Sequence, residues 1–419
     1  MDLMSERQWK RWDVIGRVNA EKLTMADAAR ICGISLRQLW RIRAAVSEAG
    51  KEALVHGNRG RLPANRTDEA VREKVIALRR TKYVRFNDAH FAEKLSSEEG
   101  VVVKLSVRTV RRILRGAGIA AVRRRRARWH RRRRERKAQA GLMLLWDGSP
   151  HAWLEERGPA LCLVGAMDDA TSDLLPGAHF VEQECAAGYL RVLKAIVTEY
   201  GIPWSIYMDQ HGSLKRNDDH WTLAEELRGR QDPTQVGMAL EALEIEPIYA
   251  LSPQAKGRVE RIWGTLQDRL VSELRLAGAC TVEEANAVLE RYRPEHNRRF
   301  AVRPRDTAPA WRPVRRGIDL DRICAFHYEA TVLRDNTVRL GGSIVIDIAP
   351  GPRRRSYADK RVEVRHLLDG TWRVYWGEQL IGTAAASNHG ELRTLRRRKR
   401  SRGVPVSFPT HATYEEASP

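Results

Sequence analysis

The sequence predicts a multidomain protein: an α/β centre flanked by all-α and all-β parts. Three observations carry that expectation. Capped helical patterns occupy much of the first 120 residues, apolar runs alternate with helical stretches from Gly141 onward, and period-two alternation takes over between about 320 and 385. At 419 residues, roughly two to four domains are expected, with room for at least one sizeable core.

The first helical signal lies between residues 24 and 46. Thr24 fits the cap of a short helix through Ala28 and Ala29, Cys32-Gly33-Ile34 makes a tight turn, and Ser35 fits the cap of a second helix through Val46. This is helix-turn-helix spacing. Small Ala29 permits close helix crossing, Gly33 tolerates the turn, and Ile34, Leu39 and Ile42 fill the small core. Arg37, Gln38, Arg41 and Arg43 are left outward, where they can enter a major groove; an ordinary helical hairpin with a solvated basic face is the alternative.

A Gly/Pro/Asn-rich connector over 56–65 leads to a second helical unit from about Thr67 to Gly118. Val71, Val75 and Leu78 recur at helical spacing, Phe91 and Leu95 mark another helix, and Ser106 fits the cap of a third bearing Val107, Val110, Ile113 and Leu114. Arg108, Arg111, Arg112 and Arg115 are expected to face outward. Val101-Val102-Val103 suggests a strand and hence a winged variant. Residues 123–137 then hold eleven cations against one anion, with Arg124, Arg125, Arg132 and Arg133 among them. So dense a like-charge block resists compact folding and is expected to order along a phosphate backbone, contacting phosphates without reading bases.

From Gly141 the runs at 142–146, 160–167, 174–181, 203–208 and 245–250 read as strands, and 184–199 and 252–276 as helices. Turn-rich joints between the first three runs predict an antiparallel meander, then a mixed sheet. Two of these runs lead into acids: Asp147 follows Leu142-Met143-Leu144-Leu145-Trp146, and Asp209 follows Trp204-Ser205-Ile206-Tyr207-Met208. A third acid, Glu260, sits at the edge of the stripe Val259, Ile262, Trp263, Leu266, Leu270 and Leu274. With Ser252 and Pro253 as N-cap and first helical residue, it is expected two turns into its helix. Two carboxylates about 4 Å apart repel by roughly 4 kcal/mol at an effective dielectric of 20, so gathered acids call for cations. Hard divalent ions such as Mg²⁺ suit oxygen donors, and a pair of them serves phosphodiester cleavage and transesterification alike. Read singly, each acid also has an ordinary role, as turn former or surface ion pair. Asp168 and Asp169 also follow an apolar strand, but Ala170-Thr171-Ser172-Asp173 makes a hairpin turn the better reading. His211 can position a water or phosphate, or serve as a hydrogen-bonded structural residue.

Short strands around 328–332, 337–340, 344–346, 362–365 and 372–375, with turns at Asp335-Asn336 and Asp369-Gly370, suggest a small β-barrel. The tail after 387, with Arg396-Arg397-Arg398-Lys399-Arg400, is expected to be disordered. A net charge of +21 and a pI near 10.2 favour a polyanionic partner. The five cysteines, Cys32, Cys162, Cys185, Cys280 and Cys324, show no short pairing interval, so free thiols are expected. Neither a run of 18 apolar residues nor a signal-peptide pattern is present, which points to a soluble intracellular protein.

Trp146-Asp147-Gly148-Ser149, Met208-Asp209-Gln210-His211-Gly212-Ser213 and Pro253-Gln254-Ala255-Lys256-Gly257-Arg258-Val259-Glu260 together resemble the integrase-type core of bacterial insertion-sequence transposases, within the RNase H-like fold. The likeness spans most of residues 1–310. It implies that Asp147, Asp209 and Glu260 are the metal-binding DDE acids, holding two Mg²⁺ or Mn²⁺ ions, and that Lys256 and Arg258 lie against DNA. The chain is thus expected to divide into a helix-turn-helix domain at 1–56, a second winged unit at 66–120, a basic linker at 121–139, a catalytic core at 140–312, a barrel at 320–386 and a tail at 387–419. Two departures stand out. The Asp209 to Glu260 interval exceeds the roughly 35 residues common in the family, which an inserted loop or helix would explain, and position 267 is Gln where Lys or Arg is frequent.

The resemblance implies binding of terminal inverted repeats, strand hydrolysis at the element ends and transfer of the freed 3′-hydroxyl into target DNA, by at least a dimer. The alternatives are a catalytically silent repressor and a metal-dependent nuclease that cuts without joining.

Overall fold

The computed structural model describes residues 4–55, 66–97, 99, 105–122, 134–216, 218, 221–250, 257–341 and 343–392. Two compact units emerge, Met1–Val75 and Ile76–Pro419. The basic stretch 123–133, the Val101–Val103 segment read as a wing strand, residues 251–256 with Lys256, and the tail beyond 392 lie outside the described residues.

In the first unit, α1 (Glu6–Asn19), α2 (Met25–Cys32) and α3 (Leu36–Ala49) surround one small core of Val14, Ile15, Val18, Ala28, Ala29, Leu39 and Val46. The expected caps form. Thr24 Oγ1 accepts from Asp27 N and Ser35 Oγ from Gln38 N, both at 3.2 Å. Gly33 ends α2 in the left-handed region at φ 65°, where a side chain would be strained. The helix α1 extends this unit beyond the segment legible as a turn motif, because Val14, Ile15 and Val18 supply a third apolar face.

The second unit begins inside α4 (Glu69–Arg80) and continues through α5 (Asp88–Ser97) and α6 (Val107–Gly116). Ser106 caps α6, accepting from Thr109 N at 3.1 Å, while Val110, Ile113 and Leu114 are buried. Buried Arg79 donates to the carbonyls of Tyr83 and Phe86 at 2.7 and 2.8 Å, fixing the turn after α4.

The α/β part is one five-stranded sheet in the order β3-β2-β1-β4-β5, built from β1 (Leu144–His151), β2 (Leu161–Asp168), β3 (His179–Val181), β4 (Ser205–Met208) and β5 (Glu246–Tyr249). The first three strands form the expected antiparallel meander, and β4 joins β1 in parallel, with β5 parallel to β4. Such a parallel return requires a crossover, supplied by α7 (Ala186–Glu199). Side chains alternate across the sheet. Leu144 and Trp146 pack with Tyr189, Leu193 and Ile196 of α7 and Leu240 of α9 (Gln235–Ala242), whereas Met143 and Leu145 pack on the other face with Trp263, Leu266 and Leu270 of α10 (Val259–Leu276) and Leu289 of α11 (Val282–Phe300). Burial on both faces makes β2 apolar almost throughout. Between β4 and α10 the long interval contains α8 (Leu223–Arg228) as well as α9 and β5, which accounts for the extra residues.

The short α12 (Leu320–Ile323) precedes the C-terminal strands β6 (Phe326–Thr331), β7 (Thr337–Leu340), β8 (Ile344–Asp347), β9 (Arg361–His366), β10 (Trp372–Trp376) and β11 (Gln379–Ala384). The barrel expectation is corrected here. The strands form a four-stranded sheet, β11-β10-β9-β6, and a separate β7-β8 hairpin, with no closed ladder among the described residues. Both pieces cover one core of Val338, Ile346, Val364, Trp372 and Val374.

Candidate active site

Asp147 lies within β1 and Asp209 immediately beyond β4, both half-buried. The parallel register pairs Leu144 with Ile206 and Leu145 with Tyr207. Continued by two residues, the same offset leads to Asp147 on β1 and Asp209 just beyond β4. Two residues 62 positions apart in sequence thus share one end of the sheet. Asp209 Oδ1 accepts from His211 N at 3.0 Å, a local turn that fixes the chain as it leaves β4.

Trp263 of α10 donates its indole N–H to Asp147 Oδ2 at 3.0 Å. One helical turn further, Gln267 Nε2 donates to Ser149 Oγ at 3.2 Å. The helix carrying Glu260 is therefore tied to the strand carrying Asp147 at two points. Glu260 itself is exposed in the first turn of α10, one turn before Trp263. The helix begins at Val259, so Glu260 is nearer the start than the expected two turns, where the positive end of the helix dipole favours an acid.

Glu184, between β3 and α7, completes the surroundings and was not singled out in the sequence. Its Oε1 accepts from Tyr189 Oη at 2.5 Å and lies 3.5 Å from His211 Nδ1, while a Cβ on Gly148 would collide with its carboxylate. Burial raises the Tyr189 phenol well above its ordinary range, with Glu184, Asp209 and Asp147 adding to it. Burial also pushes the Cys162 thiol up to about 12, with Glu184 and Asp147 again contributing. Both groups sense the same negative field. Glu184 was missed because it was read as the first residue of a helix over 184–199, whereas the helix begins at Ala186 and leaves Glu184 before it. His211 is exposed beside Asp209 and Glu184.

The oxygen donors at this sheet end suit a hard divalent cation. Among the described residues, however, no group of three or more His, Cys, Asp or Glu side chains stands in metal-holding proximity. The register leads to the two aspartates on neighbouring strands, and Trp263 ties the helix of Glu260 to the strand of Asp147, without a preassembled three-donor set among the described residues.

Asp168 and Asp169 adopt the structural role expected of them. Asp168 accepts from the backbone N–H of Gly141, Ala170 and Thr171 at 2.8–2.9 Å. Fully buried Asp169 accepts from Arg134 Nη2 at 2.6 Å, Lys137 N at 2.8 Å and Arg258 Nη1. Arg258, read from the sequence as a DNA contact, is thereby held in an internal ion pair at the head of α10, and the end of the basic stretch is pinned to the sheet.

Two curated relatives align with nearly the whole chain. A putative transposase, y4bF, of Sinorhizobium fredii is 34% identical over 409 residues, covering 93% of this chain and 85% of that protein. The chain belongs to the transposase family. The transposase for insertion sequence IS1202 of Streptococcus pneumoniae is 29% identical, covering 94% of this chain and 91% of its own. Residues 11–73 match the family described as winged helix-turn-helix, which assigns the first unit to a DNA-binding class. Among solved structures, a simian T-cell lymphotropic virus intasome in complex with a PP2A regulatory subunit covers 75% of this chain and 100% of its own at 12% identity and a TM-score of 0.31. The HTLV-2 integrase catalytic core domain in complex with magnesium covers 36% of this chain and 85% of its own at 14% identity and a TM-score of 0.24.

For a transposase, the placement of the cationic residues matters. Arg37, Gln38 and Arg41 are exposed along α3, and Arg43 is half-buried, donating to Asn19 Oδ1 at 2.8 Å. On α6, Arg108 and Arg112 are exposed, but Arg115 donates to Asp88 Oδ2 at 2.5 Å and Arg111 lies 3.6 Å from the same oxygen. Arg124, Arg125, Arg132 and Arg133 fall in the undescribed stretch. The five cysteines are free, as expected. Among the described residues no helix is long and apolar enough to cross a membrane.

Proposed function

We propose that this transposase cuts and joins DNA through Asp147, Asp209 and Glu260, acting on its own terminal inverted repeats and on target DNA. The observation that carries the reading is the parallel register of β1 with β4, Leu144 with Ile206 and Leu145 with Tyr207, whose continuation leads to Asp147 and Asp209, with the Glu260 helix hydrogen-bonded to the first of them. The sheet order β3-β2-β1-β4-β5, antiparallel in its first three strands, supports an RNase H-like core between 140 and 312. The helical units at 1–56 and 66–120 bind the ends, the linker at 121–139 follows phosphates, and the 320–386 region holds flanking or target DNA.

The three acids would hold Mg²⁺ or Mn²⁺, two ions per site. Bound divalent ions lower the pKa of water and offset charge building on the phosphodiester. The chain's own work is positioning. The helix-turn-helix units fix which bond lies over the sheet end, and Asp147 and Asp209 are held rigidly by the sheet. Water attacks phosphorus and the 3′-oxygen leaves as a hydroxyl; that hydroxyl then attacks a target phosphorus, displacing a target 3′-oxygen. No covalent protein intermediate is required. Two ends are processed together, which needs at least two copies of the chain.

Incubating purified protein with labelled DNA bearing the inverted repeats that flank its coding region, with Mg²⁺ or Mn²⁺, tests the reading. Joined products are expected. Cleavage without joining would replace it with a nuclease, and binding alone with a repressor.

A further inference from the structure

We infer that Trp263 is a positioning residue for Asp147, setting the orientation of the carboxylate that binds the divalent cation. This rests on the proposed role of Asp147. Trp263 is 4% exposed, and its indole N–H meets Asp147 Oδ2 at 3.0 Å. A buried indole N–H requires an acceptor, and here the acceptor is a charged oxygen, which makes the stronger class of hydrogen bond.

The surroundings are shaped for that ring. Asp147 pairs across the antiparallel register with Gly165. A Cβ at Gly165 would approach Trp263 Cη2 to 3.2 Å and Ala178 Cβ to 3.1 Å, so the glycine leaves room for the indole directly beside the acid. On the helix side, Ile262 and Leu266 are buried in the same core, and the Gln267 to Ser149 hydrogen bond fixes the axial position of α10 against β1. The ring is therefore held from the helix, the strand and the core. Trp263 also lies one turn from Glu260, so a single side chain couples the strand of the first acid to the helix of the third.

Groups that orient metal-binding side chains influence affinity by roughly 10- to 100-fold. A Phe at 263 keeps most of the packing and removes the donor. The test uses the full chain labelled with 5-fluorotryptophan, in which Trp263→Phe identifies the Trp263 fluorine resonance among the twelve tryptophans. Added Mn²⁺ is expected to broaden that resonance in the wild type. Mn²⁺ binding, read by the free-ion paramagnetic signal, is expected to weaken about 10-fold or more in Trp263→Phe, with thermal unfolding still cooperative. Gly165→Ala, which crowds the ring and removes no polar group, is expected to weaken Mn²⁺ in the same direction; it stands in if the Phe variant does not fold. Wild-type Mn²⁺ affinity in a folded Trp263→Phe or Gly165→Ala protein would overturn the inference. So would an unbroadened Trp263 resonance in a protein whose Mn²⁺ binding is lost in Asp147→Asn, an outcome that leaves the role of Asp147 standing. Undiminished Mn²⁺ binding in Asp147→Asn would instead remove the reading beneath it.

Discussion

Two pairs of aspartates, Asp147 with Asp209 and Asp168 with Asp169, follow apolar strands of one sheet, yet the fold uses them differently. The second pair is buried and enclosed by donors: three backbone N–H groups on Asp168, and Arg134, Arg258 and the Lys137 N–H on Asp169. The first pair is half-buried, meets one indole and one backbone N–H in the contacts described above, and stands near a further carboxylate, Glu184. An acid surrounded by fixed donors stabilises the fold, whereas acids grouped with other acids are poised for a cation. A strand followed by Asp is thus a necessary signal for this site and an insufficient one.

The sharpest way to break the contrast is to neutralise each pair in turn. Asp147→Asn, Asp209→Asn and Glu260→Gln are expected to reduce cleavage and joining by at least about 10³-fold, equivalent to roughly 4 kcal/mol, while terminal-repeat binding and thermal stability stay near wild type. Gel assays with labelled ends, run beside a thermal melt, check both halves. Any one variant that joins DNA at the wild-type rate removes that residue from the proposed machinery.

The other pair should respond the opposite way. Asp169→Ala leaves Arg258 without its buried partner, and loss of one member of a buried ion pair costs about 3–5 kcal/mol. Denaturant unfolding of the full chain should show this loss. If the variant matches wild type in stability but loses catalysis, Asp169 belongs to the chemistry and the division drawn above collapses.

A titration sharpens the scaffold side further. His296 lines the same small cavity as Arg136, Ser172 and Arg258, and among the described residues neither of its ring nitrogens has a hydrogen-bond partner. Burial lowers its pKa from 6.5 to about 4, and nearby Arg269 acts in the same direction. The folded state therefore resists a proton that the unfolded chain accepts. Stability from this group is full above about pH 6.5 and falls as the pH drops toward 4, by on the order of 3 kcal/mol. Unfolding measured across that window should flatten in His296→Phe; an unchanged slope would assign the acid sensitivity to carboxylates instead.

Local signals in the sequence mapped well onto this structure. Thr24, Ser35 and Ser106 mark helix starts because capping is a contact within four residues, and the alternating apolar runs located all five strands of the central sheet. The Asp147–Asp209 alignment was a matter of topology, legible only through resemblance. Glu184 and the proposed role of Trp263 were hidden: one was read as the start of a helix that in fact begins at Ala186, and the other sits in an apolar stripe where an indole looks like any core residue. No closed barrel is found among the described residues, because alternation specifies which face is apolar, not whether a sheet closes on itself.

The smallest expected effect applies the same distinction to cations. Helices α3 and α6 both begin at a capping Ser and carry outward arginines, but Arg37 and Arg41 on α3 are exposed, whereas Arg115 on α6 is held by Asp88. A cation that meets phosphate releases a counterion, so each such contact adds about one to the slope of log K against log salt. Arg37→Ala and Arg41→Ala should each lower that slope for terminal-repeat DNA by about 1. Arg115→Ala should leave the slope unchanged and appear instead as a modest loss of stability, because its guanidinium is committed to Asp88 and the Ile119 carbonyl. A slope that falls equally in all three variants would mean that Arg115 leaves Asp88 on binding, and that α6 reads DNA as α3 does.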